Sequence, residues 1–373
     1  KFIFNKKYHA THQIVKIEDL KNCEKERIKT YFSASRFTSW LPRFDTNNPP
    51  KSIVVKSPET ALFQFKNAIV DADSTAIMYL KKLRVCRYND ERYNEGFVQW
   101  HDTTNAKIKI SPTEKINSGF FLGGNGSWNW YHFLVEIAPK LLLFDTQLET
   151  TILVSETVIK YPSMQKILNL INDNANLIYL NKNQLYEVNK LWYINDFNHV
   201  QFNRFDDEIK SDGTYFNAEL TQKFSDKILQ SIKLEPKTAE NIFLYRKNTH
   251  RIAKNQDLIV DFLSQYNYKA ICLEELDLEK QISYFYHAKS IIGISGAAWA
   301  NLIFCRNQPK AICFLPKNAK EFAAFSNLAQ IFDVELISQL YDNDEKHTQS
   351  NFEIDFMHFK KIFSKLHTNY EKY

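Results

Sequence analysis

Glycine is scarce in this sequence: 8 of 373 residues, about 2% where a globular chain carries ~7%. A chain this sparing with glycine places it where backbone freedom or close approach demands it. Six of the eight fall in two stretches, Gly119, Gly123, Gly124 and Gly126 in one, Gly293 and Gly296 in the other. Those two loops are the candidate site. Cysteine is also thin. The five residues Cys23, Cys86, Cys272, Cys305 and Cys313 are odd in number, widely spaced and form no C-x-x-C, so neither a disulfide framework nor a zinc site is implied, which favours a reducing compartment. No long apolar run is present: the most apolar stretch, Ile291–Cys305, is broken by two glycines and Asn301 and falls short of the ~20 residues a membrane span needs. No charged-then-apolar leader opens the sequence at Lys1, and a trimmed chain is the expectation. Charge of one sign is missing too. Forty-eight Lys and Arg against 43 Asp and Glu leave +5, with no clustered basic stripe, so nucleic acid is excluded as a partner.

What remains is an ordinary folded composition, 44% hydrophobic and 24% charged, long enough for about two domains. The mild basicity, with 29 Phe, 19 Tyr and 6 Trp, suits work beside anionic lipid or phosphorylated substrates. Residues 1–115 read as strand-rich, with β-branched and aromatic runs at Ser52–Val55, Ala61–Val70, Thr75–Leu80 and Leu83–Tyr88. From Ile116 a strand–loop–helix unit follows: Phe120–Leu122, the Gly-Gly-Asn-Gly-Ser loop, then a helix from Trp128 to about Phe144. Strands at Thr151–Val154, Asn176–Leu180 and Lys190–Ile194, with a helix opening at Pro162, predict a parallel sheet. A helix over Phe216–Ile232 precedes a polar linker, Lys233–Glu240. Beyond it, strands at Ile242–Tyr245, Lys269–Leu273, Ser290–Ile294 and Ala311–Leu315 alternate with helices at Asn255–Gln265, Leu278–Ala288, Ala297–Phe304 and Lys320–Phe332, the order of a doubly wound α/β domain. The expected domains are thus 1–234 (1–115 strand-rich, 116–234 α/β) and 235–340, with a polar loop over 341–351 and an amphipathic helix over Phe352–Leu366 in the closing segment 341–373.

Three segments bear chemistry. In Ser290–Asn301 an apolar strand turns through two glycines into small residues that open a helix, where free N–H groups attract phosphate oxygens. A tight crossover explains the same pattern without a ligand, and the spacing matches neither the dinucleotide fingerprint nor the P-loop. Arg246, Lys247, His250 and Arg251 follow the first strand of that domain, where α/β sheets bind ligands. A solvated basic loop is the bland alternative, but two anion features at one sheet edge suggest a diphosphate, as in a nucleotide sugar. In the other loop His132 and Glu136 are four apart and share a helix face, so the carboxylate can hold the imidazole tautomer that accepts a proton. Asn125, Trp128, Trp130 and Tyr131 suit stacking and bonding to sugar, although core packing explains the aromatics equally well. Asp71-Ala-Asp73 has the D-x-D form of metal-dependent sugar transferases, but about one or two such triplets arise by chance, and it is read as surface.

These blocks resemble glycosyltransferase family 61, which includes bacterial capsular-polysaccharide transferases. Asn129-Trp-Tyr-His132-Phe-Leu-Val-Glu136-Ile-Ala-Pro139 carries the first part, and Arg246 through Arg251, Glu274, Gln281, Ala288 and Gly296-Ala-Ala-Trp-Ala-Asn301 the second. The resemblance implies an α/β, two-lobed GT-B fold, two Rossmann-like domains facing a cleft, and an inverting glycosyltransferase with no metal and no cofactor beyond its nucleotide-sugar donor, a UDP-sugar. By position it assigns Arg246 and Arg251 to the diphosphate, backbone N–H groups of Gly296 and Ala297 beside them, Glu274, Gln281 and Asn301 to the donor, and His132 with Glu136 to proton abstraction. Glu136 itself, or an acid in the first hundred residues, is the alternative base. Where many relatives carry His, this chain has Ser295, which donates a hydrogen bond but no charge. The expected acceptor is a glycan or lipid-linked saccharide of bacterial capsule or lipopolysaccharide, met in the cytoplasm with peripheral contact at the inner membrane. A retaining transferase, an epimerase and an idle glycan-binding scaffold are the competing readings.

Overall fold

The computed structural model describes residues 8–16, 23–85, 96–101, 105–201, 209–247, 251–342 and 352–367. Cys86, the end of the strand expected over Leu83–Tyr88, His250 and most of the 341–351 loop lie outside them. The chain forms two compact units: residues 1–37 with 56–208, and residues 38–55 with 209–373.

The first unit is built on an eleven-stranded sheet. Its strands are β1 (Tyr8–Lys16), β2 (Arg27–Phe32), then, after β3 (Ser35–Trp40) and β4 (Ser52–Ser57), which pair with each other, β5 (Thr60–Val70), β6 (Ile77–Tyr79), β7 (Lys82–Val85), β8 (Val98–His101), β9 (Asn105–Ile110), β10 (Thr113–Phe121), β11 (Thr151–Ser155), β12 (Asn176–Leu180) and β13 (Leu185–Ile194). Four of them run parallel in the order β12-β11-β10-β13, and β5 joins β13 antiparallel. The chain therefore steps outward from β10 and returns on its other side as β13. At such a reversal the loops leaving the carboxyl ends part, and ligands bind there. The last four residues of β13, Leu-Trp-Tyr-Ile, are all buried, as a central strand covered on both faces requires. Phe63, Phe65, Phe121, Leu153, Val188, Leu191 and Tyr193 form the core beneath.

The second unit carries five parallel strands, β14 (Asn241–Leu244), β15 (Lys269–Ile271), β16 (Ser290–Ile294), β17 (Lys310–Pro316) and β18 (Glu335–Tyr341), ordered β15-β14-β16-β17-β18. This is a doubly wound sheet whose order reverses between β14 and β16. All five residues of β16, Ser-Ile-Ile-Gly-Ile, are buried. Ile292, Ile294, Ile312, Phe314 and Ile337 share a core with Phe359 and Phe363 of the helix Phe356–Leu366.

The alternation expected from the sequence holds, with four differences. The helix Ala218–Ser231 belongs to the second unit, not to a domain ending at residue 234: Ser225 Oγ donates to Ile303 O, and Arg306 Nη2 reaches Asp226 Oδ1 at 2.7 Å. Its apolar face fits either sheet, and the polar stretch after it only resembles a linker. The strand β18 was not anticipated. The helix expected over Trp128–Phe144 is wound in three ways, α over Trp130–His132, π over Phe133–Ile137 and 3-10 over Ala138–Leu142. The segment Ala297–Phe304 is a 3-10 helix. Among the described residues no helix is long and apolar enough to cross a membrane.

Candidate active site

The first constellation grows from the loop after β10. Asn129 caps the helical segment, its Oδ1 accepting from Tyr131 N at 2.8 Å. Pro139 has no N–H to give the carbonyl four residues back, and Val135 O is taken instead by Asn198 Nδ2 at 2.8 Å. The π turn widens the helix where Glu136 points inward, a distortion common at functional sites. Glu136 Oε2 pairs with His132 Nδ1, and Oε1 accepts from Val200 N at 2.8 Å. The loop after β13 is tied down residue by residue: Asn195 bonds Ala61 N and Glu59 O, Asp196 Oδ1 accepts from Lys140 Nζ at 2.6 Å, and His199 Nδ1 lies 3.6 Å from Glu136 Oε1. Five ionisable side chains, His132, Glu136, Lys140, Asp196 and His199, are thus buried together where the loops of β10 and β13 part. Burying this many charges is costly unless they pair, and they do. Tyr131, buried beside them, is pushed well above the usual tyrosine range by its burial and by the charge of Glu136.

The glycine-rich loop fits against His132 and against residues 71–75. Gly126 has φ +80°, and a Cβ there would stand 2.8 Å from His132 Cγ, so only glycine allows the loop to close over the imidazole. Gly124 N donates to Ala72 O at 3.1 Å, and Asn125 Oδ1 accepts from Thr75 N and Oγ1. This corrects the reading of Asp71-Ala-Asp73 as surface: both acids are buried, Asp71 to 2% exposure. Asp71 Oδ1 accepts from Asp73 N and Ser74 N, so backbone donors replace water around the carboxylate. Burial outweighs those bonds and, with the nearby charge of Asp73, pushes Asp71 up to about 7.

The second constellation sits where β14 and β16 diverge. Arg246, just past β14, donates from Nη2 to Ser295 O at 2.7 Å. A Cβ at Gly296 would overlap that same nitrogen, so glycine is what lets the guanidinium approach the turn. Gln256 clamps the Arg246 backbone from both sides, N to Oε1 and Nε2 to O, each at 3.1 Å. Burial first, then the charge of Arg251, lowers Arg246 from its usual value, while Glu274 opposes the shift. A cation held against burial and a second cation is relieved by an oxyanion. Tyr341, at the end of β18, is raised by burial and drawn back by Arg251, by a hydrogen bond with the Ser295 side chain and by Arg246. Beside Arg246 a cavity of ≈ 380 Å³ is lined by Tyr245, Lys247, Ile252, Ala253, Lys254, Gln256 and Asp257. That volume lies within the ~300–1,000 Å³ of small-molecule sites.

Residues 130–313 match the family model described as Glycosyltransferase 61. The chain carries a glycosyltransferase family 61 domain. Among curated proteins it has no match. The matched span of this glycosyltransferase runs from Trp130 to Cys313 and holds His132, Glu136, His199, Arg246 and Gly296, while Asp71 and Tyr341 fall outside it.

The structure places the expected site residues as follows. His132 and Glu136 are in contact, and Arg246, Ser295 and Gly296 come together, with Ala297 opening the 3-10 helix behind them. Arg251 is exposed and Glu274 accepts from Cys272 Sγ at 3.2 Å. Gln281 is turned inward, Nε2 donating to Leu273 O and Leu276 O, and Asn301 is fully buried. Of the residues expected at the acceptor, Trp128 is 46% exposed, Trp130 is half-buried and stacks on Phe133, Tyr131 is buried, and Asn125 is used in pinning the loop. Sequence reasoning missed Lys140, Asp196 and His199. The signal was there: Asn195-Asp-Phe-Asn-His199 is a polar cluster directly after an apolar strand, the position where α/β sheets keep functional groups.

Proposed function

We propose that this glycosyltransferase moves a sugar, with inversion, from a nucleotide-sugar donor, a UDP-sugar, to a hydroxyl of a glycan or lipid-linked saccharide in bacterial capsule or lipopolysaccharide synthesis. The observation that carries the reading is the buried His132–Glu136 pair. With Nδ1 donating to the carboxylate, the imidazole keeps Nε2 as an acceptor, the tautomer a general base needs. Nε2 takes the proton of the acceptor hydroxyl as its oxygen attacks the anomeric carbon from the face opposite the nucleotide. The bond from that carbon to the diphosphate oxygen breaks, and its electron pair leaves with the diphosphate. Arg246 and Arg251, with N–H groups at Gly296 and Ala297, stabilise the charge that develops there. The two α/β units fit a GT-B enzyme that keeps its donor nucleotide on the second one. The net charge of +5 suits a cytoplasmic enzyme that meets its acceptor at the inner membrane.

The test is nucleotide release from a panel of sugar nucleotides, with and without EDTA, for wild type, His132→Ala and Arg246→Ala. One donor turns over regardless of EDTA; His132→Ala lowers kcat by about 10²–10⁴-fold, and Arg246→Ala raises the donor KM. Full turnover by His132→Ala removes the base assignment. Silence across the panel, with no thermal shift from any nucleotide, overturns the donor reading.

A further inference from the structure

The cavity beside Arg246 has a chemistry of its own. It lies between the end of β14 and the first turn of the helix Gln256–Ser264. Gln256, buried at that turn, bonds the Arg246 backbone through both ends of its amide, so the helix start and the arginine are fixed together. Arg246 thus serves two surfaces: its guanidinium reaches Ser295 O, and the residue also lines the cavity. A diphosphate held by that guanidinium leaves the group it carries within reach of the cavity. At ≈ 380 Å³ the cavity stands near the lower end of the ~300–1,000 Å³ of small-molecule sites, a size for one nucleoside and not for an oligosaccharide.

Among the described residues of the lining there is one acid, Asp257, exposed in the first turn of the helix. The Tyr245 hydroxyl donates to its Oδ1 at 3.0 Å. That bond, and then burial, pushes the Tyr245 phenol above its usual range, so the hydroxyl stays protonated and keeps donating. The carboxylate is held in one direction, with lone pairs left on both oxygens. An acid in this position repels phosphate and accepts hydrogen bonds, and the part of a nucleotide that offers two adjacent donors is the ribose diol. Carboxylates take ribose hydroxyls in other doubly wound sheets. Ile252, 36% exposed on the same lining, offers the apolar surface that a flat base covers. We propose that this cavity is the nucleoside subsite, that Asp257 accepts from the 2′- and 3′-hydroxyls of the ribose, and that Tyr245 is the positioning residue that aims the carboxylate at them. The proposal rests on the nucleotide-sugar reading above and adds to it a selection for ribose over deoxyribose.

Calorimetric titration of the full chain decides it, with the diphosphates of uridine, cytidine, adenosine and guanosine, each beside its 2′-deoxy form, and with inorganic pyrophosphate. For the preferred base, the ribose form is expected to bind about 10–100-fold more tightly than the deoxyribose form, the worth of a hydrogen bond to a charged group. Asp257→Asn narrows that ratio to about 3-fold, and Tyr245→Phe gives a value between the two. Neither variant weakens pyrophosphate binding, which Arg246→Ala does, so loss of the subsite is separated from loss of the phosphate contact. A wild type that binds both forms equally overturns the subsite and leaves the donor reading standing, and so does a ribose preference kept in full by Asp257→Asn. A full ratio in Tyr245→Phe removes the positioning role of the phenol. Failure of every nucleotide to bind overturns the donor reading and the subsite with it, so the two failures are told apart.

Discussion

Asp71 is a buried acid that the fold holds near neutrality, and its protonation sets the stability of the loop behind the glycine-rich segment. The sign follows from burial. A carboxyl raised from 3.8 to about 7 on folding ionises more readily in the unfolded chain, so the unfolded state gains on the folded one as pH rises through that window. The cost is absent below about pH 4 and complete above about pH 7. Asp71→Asn keeps the acceptor oxygen that Asp73 N and Ser74 N use, and it removes the ionisation. Thermal melts at stepped pH are therefore expected to show the variant gaining on wild type by several degrees between about pH 4 and about pH 8. A constant difference across that range would mean the carboxylate is solvated and the raised value wrong.

At the scale of elements, β18 brings Tyr341 to Ser295 and Arg246, where we propose that the donor diphosphate binds. Tyr341 also stacks on Phe352, ring centres 4.0 Å apart, so Tyr341→Phe keeps the packing and deletes only the hydroxyl. Loss of one hydrogen bond to Ser295 is expected to weaken nucleotide binding about 3–10-fold by calorimetry, with little change in melting temperature. An unchanged affinity would assign the hydroxyl to the core. This strand, like β1, β2, β3, β8 and β9 of the first unit, was not singled out in the sequence. Glu335-Leu-Ile-Ser-Gln-Leu-Tyr341 follows the helix Ala324–Ile331 directly and carries polar residues inside the sheet, Ser338 and Gln339, that break the apolar run expected of a parallel strand. By contrast β16 and its turn were readable because Gly293 and Gly296 stand out in a glycine-poor chain, and Gly296 proves to be where Arg246 needs the space. His132 and Glu136 were legible from helical spacing, although the π turn between them was not: nothing in Phe-Leu-Val-Glu-Ile announces that Pro139 and Asn198 together will rewind the helix. Asp196 and His199 could only be joined to them through the strand order, which places β13 beside β10 although β11 and β12 intervene in sequence.

At the scale of the whole molecule, the second unit is discontinuous in the chain, and its stability depends on segments far from its sheet in sequence. Residues 38–55 supply Trp40, whose N–H donates to Asn327 Oδ1 at 3.1 Å and whose carbonyl accepts from Ser326 Oγ, and Arg43, whose carbonyl accepts from Ser338 N. The helix Ala218–Ser231 buries Leu220, Phe224 and Ile228. At about 2 kcal/mol for each such side chain, removing that helix alone forfeits about 6 kcal/mol, much of the ~5–15 kcal/mol by which a domain is stable. A fragment cut at the polar stretch, residues 235–373, is therefore expected to show no cooperative thermal transition by circular dichroism. A fragment of residues 209–373 regains the helix and should recover a broad transition, and adding residues 38–55 as a separate peptide should raise its midpoint by several degrees. Cooperative melting of residues 235–373 close to the temperature of the full chain would show that the helix and the 38–55 segment decorate the unit and do not hold it together.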